Sequence, residues 1–280
     1  MDKAGIILNK IFEWAKAEES IRGLVIVGSR ALQSPTDDLA DLDISVFTRD
    51  IVTYVKDDSW ISKIAKIWVY SPDKYYFNDV SVPTRLVIYE GGVKVDYSFW
   101  NVDIIAKLAK SDYFDTGYKI LLDKDGLLKS FKEPSLKPKI PAKPTEEEFI
   151  HIINEFWFEA YHVAKYLKRE DHWLVKFRDW SLQVYLLMMM EWYMLAKNNW
   201  DYDVKWTGKD IKKWVDPKIY KSLYDIFSSF DIEDSWRALI ARINLFRDLS
   251  KETAEILSYP YPSVVDKNLT DFILSLRSTN

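Results

Sequence analysis

The chain has 280 residues, 39 Lys and Arg against 43 Asp and Glu, and a formal net charge of −4. A hydrophobic fraction of 48% beside 29% charge is a globular balance that excludes wholesale disorder, and the mild acidity argues against a dedicated duplex-DNA binder, which carries a basic footprint. With no cysteine, disulfide scaffolds, Cys–zinc sites, iron–sulfur clusters and thiol catalysis are excluded as well.

In chain order, Asp2 to Ser20 reads as an amphipathic helix, with Ile7, Leu8, Ile11, Phe12 and Ala15 at helical spacing. Its apolar run is too short for a signal peptide or membrane span, as is Leu186–Met190, so a cytoplasmic protein without a membrane partner is expected. Leu24 to Val27 is a strand closing on Gly28-Ser29-Arg30. Further strands are expected at Leu42–Phe47, Ile64–Tyr70, Arg85–Tyr89 and Val93–Phe99, the last two joined through Glu90-Gly91-Gly92, a short hairpin loop. Asp103–Lys110 begins a helix, and Lys119–Leu122 is a last short strand.

Pro134, Pro138, Pro141 and Pro144 then break any regular element. Thr145 with Glu148 three residues on is a capping-box signature, and the pattern is helical from there nearly to the end. Phe149, Ile152, Ile153, Phe156, Trp157, Ala160, Ala164 and Leu167 trace one face; Trp173–Lys197, Lys209–Phe230 and Ile232–Tyr259 continue in the same style. The expected fold is α+β, a mixed-sheet domain over residues 1–133, a Pro-rich linker over 134–144 and a helical bundle over 145–280.

One constellation carries chemistry. With eleven residues intervening, Gly28-Ser29 is followed by Asp41-Leu42-Asp43, and Asp96 lies on a later strand. Asp41 and Asp43 are two apart and so share a face, while Leu42, Ile44 and Val46 face a core. On the later strand Val93, Val95, Tyr97 and Phe99 share one face and Asp96 takes the other. If the strands are neighbours, three carboxylates gather on one surface, and such a cluster calls for a hard divalent cation such as Mg²⁺. Gly28 lets the backbone approach a phosphate, Ser29 offers donors at the following turn, and Arg30 adds positive charge. A phosphate cradle beside paired metal ligands is what nucleotidyl transfer needs.

The pattern GSR…DLDI…KVDYSF resembles that of the polymerase-beta-like nucleotidyltransferase superfamily. More narrowly, the chain is similar to the aminoglycoside 6-adenylyltransferases, or streptomycin adenylyltransferases. The likeness runs through LVIVGSR (24–30), YEGGVKVDY (89–97), YKILLDKDGL (118–127), EFWFEAYHVAK (155–165) and WTGKDIKKW (206–214), essentially the whole chain. The resemblance implies Mg²⁺-dependent transfer of AMP from ATP to an aminoglycoside hydroxyl, a resistance activity with no nucleic-acid partner. It implies Asp41 and Asp43 as metal ligands, and Asp96 as a metal ligand or as the base that takes the hydroxyl proton. Gly28 and Ser29 would hold the β- and γ-phosphates, with Arg30 nearby.

A polycationic drug needs carboxylates and aromatic surfaces, expected mainly from the helical half. Candidates are Glu90, Glu155, Glu159, Asp179, Trp157, Trp173 and Trp180, against core packing for the tryptophans and ion pairs or a solvated face for the acids. Lys165, Lys168, Arg169, Lys176 and Arg178 form a basic stretch able to meet a triphosphate or to line an exposed face. Other readings keep the same site for another aminocyclitol, a lincosamide or a protein acceptor, or make the chain a non-catalytic nucleotide-binding regulator.

Overall fold

The computed structural model describes residues 2–32 and 39–278. Two compact units emerge, Met1–Pro138 and Lys139–Asn280.

The first unit is a six-stranded mixed sheet with helices packed on it. Its strands are β1 (Ile21–Val27), β2 (Leu42–Thr48), β3 (Ile67–Phe77), β4 (Val80–Tyr89), β5 (Val93–Asn101) and β6 (Tyr118–Asp123), in the spatial order β3-β4-β5-β2-β1-β6. β2 and β5 pair parallel and the other neighbours antiparallel. Helix α1 (Lys3–Ala17) is capped by the Asp2 carboxylate, which accepts from the Gly5 N–H at 2.7 Å. Ile7, Ile11 and Trp14 of α1 meet Tyr54 of α2 (Ile51–Lys56) and Trp60 and Ile61 of α3 (Ser59–Ile64). That cluster covers Ile26, Leu42, Ile44, Val46, Val95, Tyr97 and Phe99 of the sheet. Phe47 and Trp100 pack on the opposite face, under α4 (Ile105–Leu108) and Phe131. The strict alternation of β5 therefore leaves Lys94, Asp96 and Ser98 on the face away from α1.

Two expectations are corrected here. The third strand begins at Ile67 instead of Ile64 and continues to Phe77, and its partner begins at Val80 instead of Arg85. Pro72 and Pro83 disguise this long hairpin. Pro72 is tolerated because β3 is the edge strand, and Pro83 because β5 pairs with β4 only from Thr84 onward.

The second unit is helical. Thr145 caps α5 (Glu146–Lys168) with both bonds of the capping box: Thr145 Oγ1 accepts from the Glu148 N–H at 3.2 Å, and Glu148 Oε2 accepts from the Thr145 N–H at 2.7 Å. α6 (His172–Lys197) and α9 (Ile232–Leu257) pack with α5, and α10 (Ser263–Ser278) lies against α5. Phe156 and Phe246 stack at 3.7 Å between centroids in the middle of this core. The expected helix over Lys209–Phe230 is instead two short ones, α7 (Ile211–Trp214) and α8 (Pro217–Ser222). Pro217 can begin a helix but cannot continue one from Val215, so the chain turns extended there and restarts.

Asp179, expected as a drug-facing acid, belongs to this core. Its Oδ1 accepts from Nη1 of Arg242 at 2.8 Å, and Arg242, 1% exposed, also donates to the Ile226 carbonyl at 2.7 Å. Removing one partner of a buried pair leaves the other charge uncompensated, so Asp179→Ala is expected to cost about 3–5 kcal/mol in urea unfolding. Glu191 carries the opposite kind of burial: it pushes the carboxyl up to about 7. The native state then binds this proton more tightly than the unfolded chain, so the contribution is intact below the unfolded value of 4.5 and lost as pH rises through 7. Glu191→Gln should therefore raise stability by ~1 kcal/mol at pH 8, after discounting for partial exposure, and by nothing at pH 4. Thermal melts at the two pH values test this.

Candidate active site

The site grows from the ends of three adjacent strands. β1 ends in Val27, which stands opposite Asp43, and Asp43 stands beside Asp96 in the parallel pairing of β2 and β5. Gly28 then turns with φ +74° into a 3₁₀ turn, Gly28–Ala31. A side chain there would be strained by the left-handed backbone, and its Cβ would lie 2.7 Å from Asp43 Oδ2. The glycine thus keeps open the space directly over a carboxylate.

Arg30 ties the turn to the residue before Asp41 and to the α1 cap. Its Nε donates to the Ala40 carbonyl at 2.7 Å, just before Asp41, and Nη1 donates to the α1 cap Asp2 at 3.2 Å. The side chain of Ser29 lies outside the described residues.

Asp41, Asp43 and Asp96 are half-buried. Burial and then the charge of Asp96 hold the Asp43 carboxyl above the usual carboxylate range, with Asp41 adding to the effect and Lys94 opposing it. Lys94, which sequence reasoning did not single out, donates from Nζ to Asp41 Oδ2 and to Asp96 Oδ2, each at 2.8 Å. Burial pulls this ammonium down, but the two carboxylate bonds outweigh it and its pKa is raised on balance. The signal was present in the sequence: in Val93-Lys94-Val95-Asp96, alternation puts the lysine and the acid on one face.

A cavity of about 270 Å³ adjoins Asp43 and Asp96. Register explains its lining, since Asp73, Thr84, Ser98 and Ser45 stand side by side across β3, β4, β5 and β2 and form a polar row through the sheet. Asp73 was hidden from the sequence reading by the prolines that disguised the hairpin.

The donor set has the chemistry of a hard cation site. All three groups are carboxylates, and Asp96 Oδ1 is buried without a hydrogen-bond partner. Among the described residues no three acidic or imidazole groups are already disposed around one ion; the ammonium of Lys94 stands between Asp41 and Asp96. The residues fit a divalent cation by charge, ligand type and the orphaned oxygen.

Of the acids and aromatics expected to meet a drug, Glu90 sits in the β4–β5 turn and pairs with Lys66 at 3.0 Å. In the helical unit, Glu155 Oε2 accepts from the Tyr185 hydroxyl at 3.3 Å, and Glu159 Oε1 accepts from Arg178 at 2.8 Å. The second oxygen of Glu159 is buried without a partner. Trp173 and Trp180 are exposed, at 76% and 69%. Trp157 is not: at 1% exposure it packs edge-on to Phe156 in the core, and its expected role as a stacking face is corrected by that burial. In the basic stretch, Lys176 turns inward onto the Ser235 hydroxyl at 2.9 Å, and Arg178 is committed to Glu159. No described helix is long and apolar enough to cross a membrane.

A family profile described as streptomycin adenylyltransferase matches residues 1–276. The chain is 26% identical over 275 residues to the aminoglycoside 6-adenylyltransferase of Bacillus subtilis (strain 168), covering 95% of each chain. It is 26% identical over 278 residues to that of Campylobacter jejuni, covering 94% of this chain and 92% of the relative. Against the Staphylococcus aureus enzyme of the same name it is 27% identical over 274 residues, covering 95% and 96%.

The raised pKa of Asp43 means that its charge is held at a cost to the fold. Asp43→Asn should raise the thermal midpoint of the metal-free protein at neutral pH. A scan in EDTA measures it, and a lowered midpoint would contradict the electrostatic account.

Proposed function

The chain belongs to the streptomycin adenylyltransferase family, and we propose that it transfers AMP from ATP to a hydroxyl of a streptomycin-like aminoglycoside, releasing pyrophosphate and so conferring resistance. The observation that carries this reading is the convergence of Asp41, Asp43 and Asp96 beside the open turn at Gly28. An ATP site needs ligands for a cation next to backbone that a phosphate can approach, and this arrangement supplies both.

Asp41 and Asp43 would hold Mg²⁺, which when bound neutralises charge on the triphosphate and its leaving group. Gly28 would admit the β- and γ-phosphates to the backbone of the turn, with Ser29 beside them, and Arg30 would hold the turn against the strand that carries Asp41. The acceptor hydroxyl forms a new P–O bond at the α-phosphorus as the bond to pyrophosphate breaks. Its proton goes to Asp96, the third acid of the cluster.

For the drug, the helical unit offers the carboxylates of Glu155 and Glu159 and the exposed ring of Trp173, suited to guanidinium and ammonium groups. Glu159 is the strongest of these, because one of its oxygens is buried and unsatisfied. Asp179 and Trp157 are left out, being committed to the core.

Two measurements test the reading. Pyrophosphate release from Mg-ATP should appear with streptomycin and be absent with spectinomycin, kanamycin and lincomycin, and Asp43→Asn should reduce it by at least about 10³-fold. Silence with every drug while ATP still binds would move the acceptor elsewhere. Glu159→Gln should raise the KM for streptomycin about tenfold and leave ATP binding unchanged, the loss expected for one charge-assisted hydrogen bond.

A further inference from the structure

Lys94 occupies an unusual position for a lysine on a strand. Its neighbours in sequence, Val93 and Val95, are buried in the core, so the backbone at Lys94 is held by packing on the opposite face. Its side chain, 35% exposed, reaches across from β5 and joins Asp96 on its own strand to Asp41 just before β2. Each bond is 2.8 Å long, the length of a charge-assisted hydrogen bond. Asp43, two residues on from Asp41 and paired with Asp96, adds a third carboxylate.

Two consequences follow from elementary electrostatics. Without a counter-charge the three carboxylates repel, and Asp41, which precedes β2 and lies outside its ladder, is the one free to swing away. A cation coming to Asp41 meets an oxygen already bonded to Nζ. A divalent ion held by the same carboxylate is brought close to the ammonium, and the two positive charges repel each other. The four-carbon stem of a lysine is flexible enough to release one carboxylate while keeping the other.

We propose that Lys94 is a resident counter-ion of the acidic cluster: it holds Asp41 and Asp96 in place before a divalent cation arrives, and yields Asp41 to that cation when it binds. The proposal rests on the metal reading given above. Lys94 is on this view a positioning residue, and it competes with the metal it prepares for.

The experiment uses the full chain with Mn²⁺ alone, without nucleotide or drug, and compares wild type with Lys94→Met and Lys94→Arg. Mn²⁺ affinity is read from the electron-paramagnetic signal of the free ion, and the metal-free thermal midpoint is read in EDTA. Lys94→Met is expected to lower the midpoint by about 2–4 °C, and to bind Mn²⁺ more tightly by about tenfold, since an unfavourable charge and a bond to be broken are both gone. Lys94→Arg, which keeps the charge, should stay near wild type in the EDTA melt and should not bind Mn²⁺ more tightly. Should Lys94→Met fail to fold, Lys94→Gln takes its place with the same expectations.

Unchanged Mn²⁺ affinity in the neutral variant, or an unchanged midpoint in EDTA, overturns the counter-ion role. Failure of the wild type to bind Mn²⁺ overturns the metal assignment, and the EDTA melts then decide the counter-ion role by themselves. There, recovery of the lost stability in Lys94→Met/Asp96→Asn supports it, and the absence of any loss in Lys94→Met refutes it.

Discussion

Two carboxylates are held side by side at the centre of the sheet because the strands that carry them cannot slip. Asp43 and Asp96 face each other across the parallel pairing of β2 and β5. The other faces of the same strands bury Leu42, Ile44, Val46, Val95, Tyr97 and Phe99 under α1, α2 and α3. A shift of one residue would turn that whole apolar set toward the polar cavity, and burying each such side chain is worth roughly 1.5–3 kcal/mol. Repulsion between two acids is small beside that sum. Hydrophobic burial on one face therefore holds an unfavourable charge arrangement on the other, where burial first and the neighbouring Asp96 charge second raise the pKa of Asp43.

The surroundings are arranged to keep that charge usable. Gly28 leaves open the volume that any side chain would take from Asp43. Arg30 spans from the turn to the Ala40 carbonyl, so the segment that carries Asp41 is tied back to the end of β1. Lys94 supplies a positive charge between Asp41 and Asp96. Each device acts on position or charge without filling the space beside the carboxylates, the economy expected where a fold keeps strain for function.

The helical unit treats charge differently. Asp179 and Arg242 are buried against each other, and Asp266 is buried against Arg247, whose Nε donates to both of its oxygens at 2.8 and 2.9 Å. In both pairs the acid is compensated by a guanidinium, through one bond from Arg242 and two from Arg247. Glu159 is different, since Arg178 engages one oxygen and the other is left buried and unsatisfied. A buried acceptor without a donor is costly and therefore informative, and it separates Glu159 from the structural acids of the same bundle.

Much was legible from local pattern. Alternation in Asp41–Phe47 and Val93–Phe99 was enough to place three carboxylates on one side of their strands, because side-chain direction along a strand depends only on parity. Thr145 and Glu148 announced the start of α5, because a capping box is complete within four residues. Partnership was another matter. Nothing local says that β2 pairs with β5 in parallel, or that Pro72 and Pro83 sit where the ladder has no need of their missing N–H groups, and so Asp73 went unseen. Nor does a helical period distinguish Asp179, which meets Arg242 63 residues away, from an acid that faces solvent. Local pattern specified which residue types share a face and where the capped helix α5 begins, since those depend on dihedral preference and periodicity. Tertiary structure decided which faces meet, which charges are compensated and which oxygen is left over, because those depend on contacts between residues far apart in the chain.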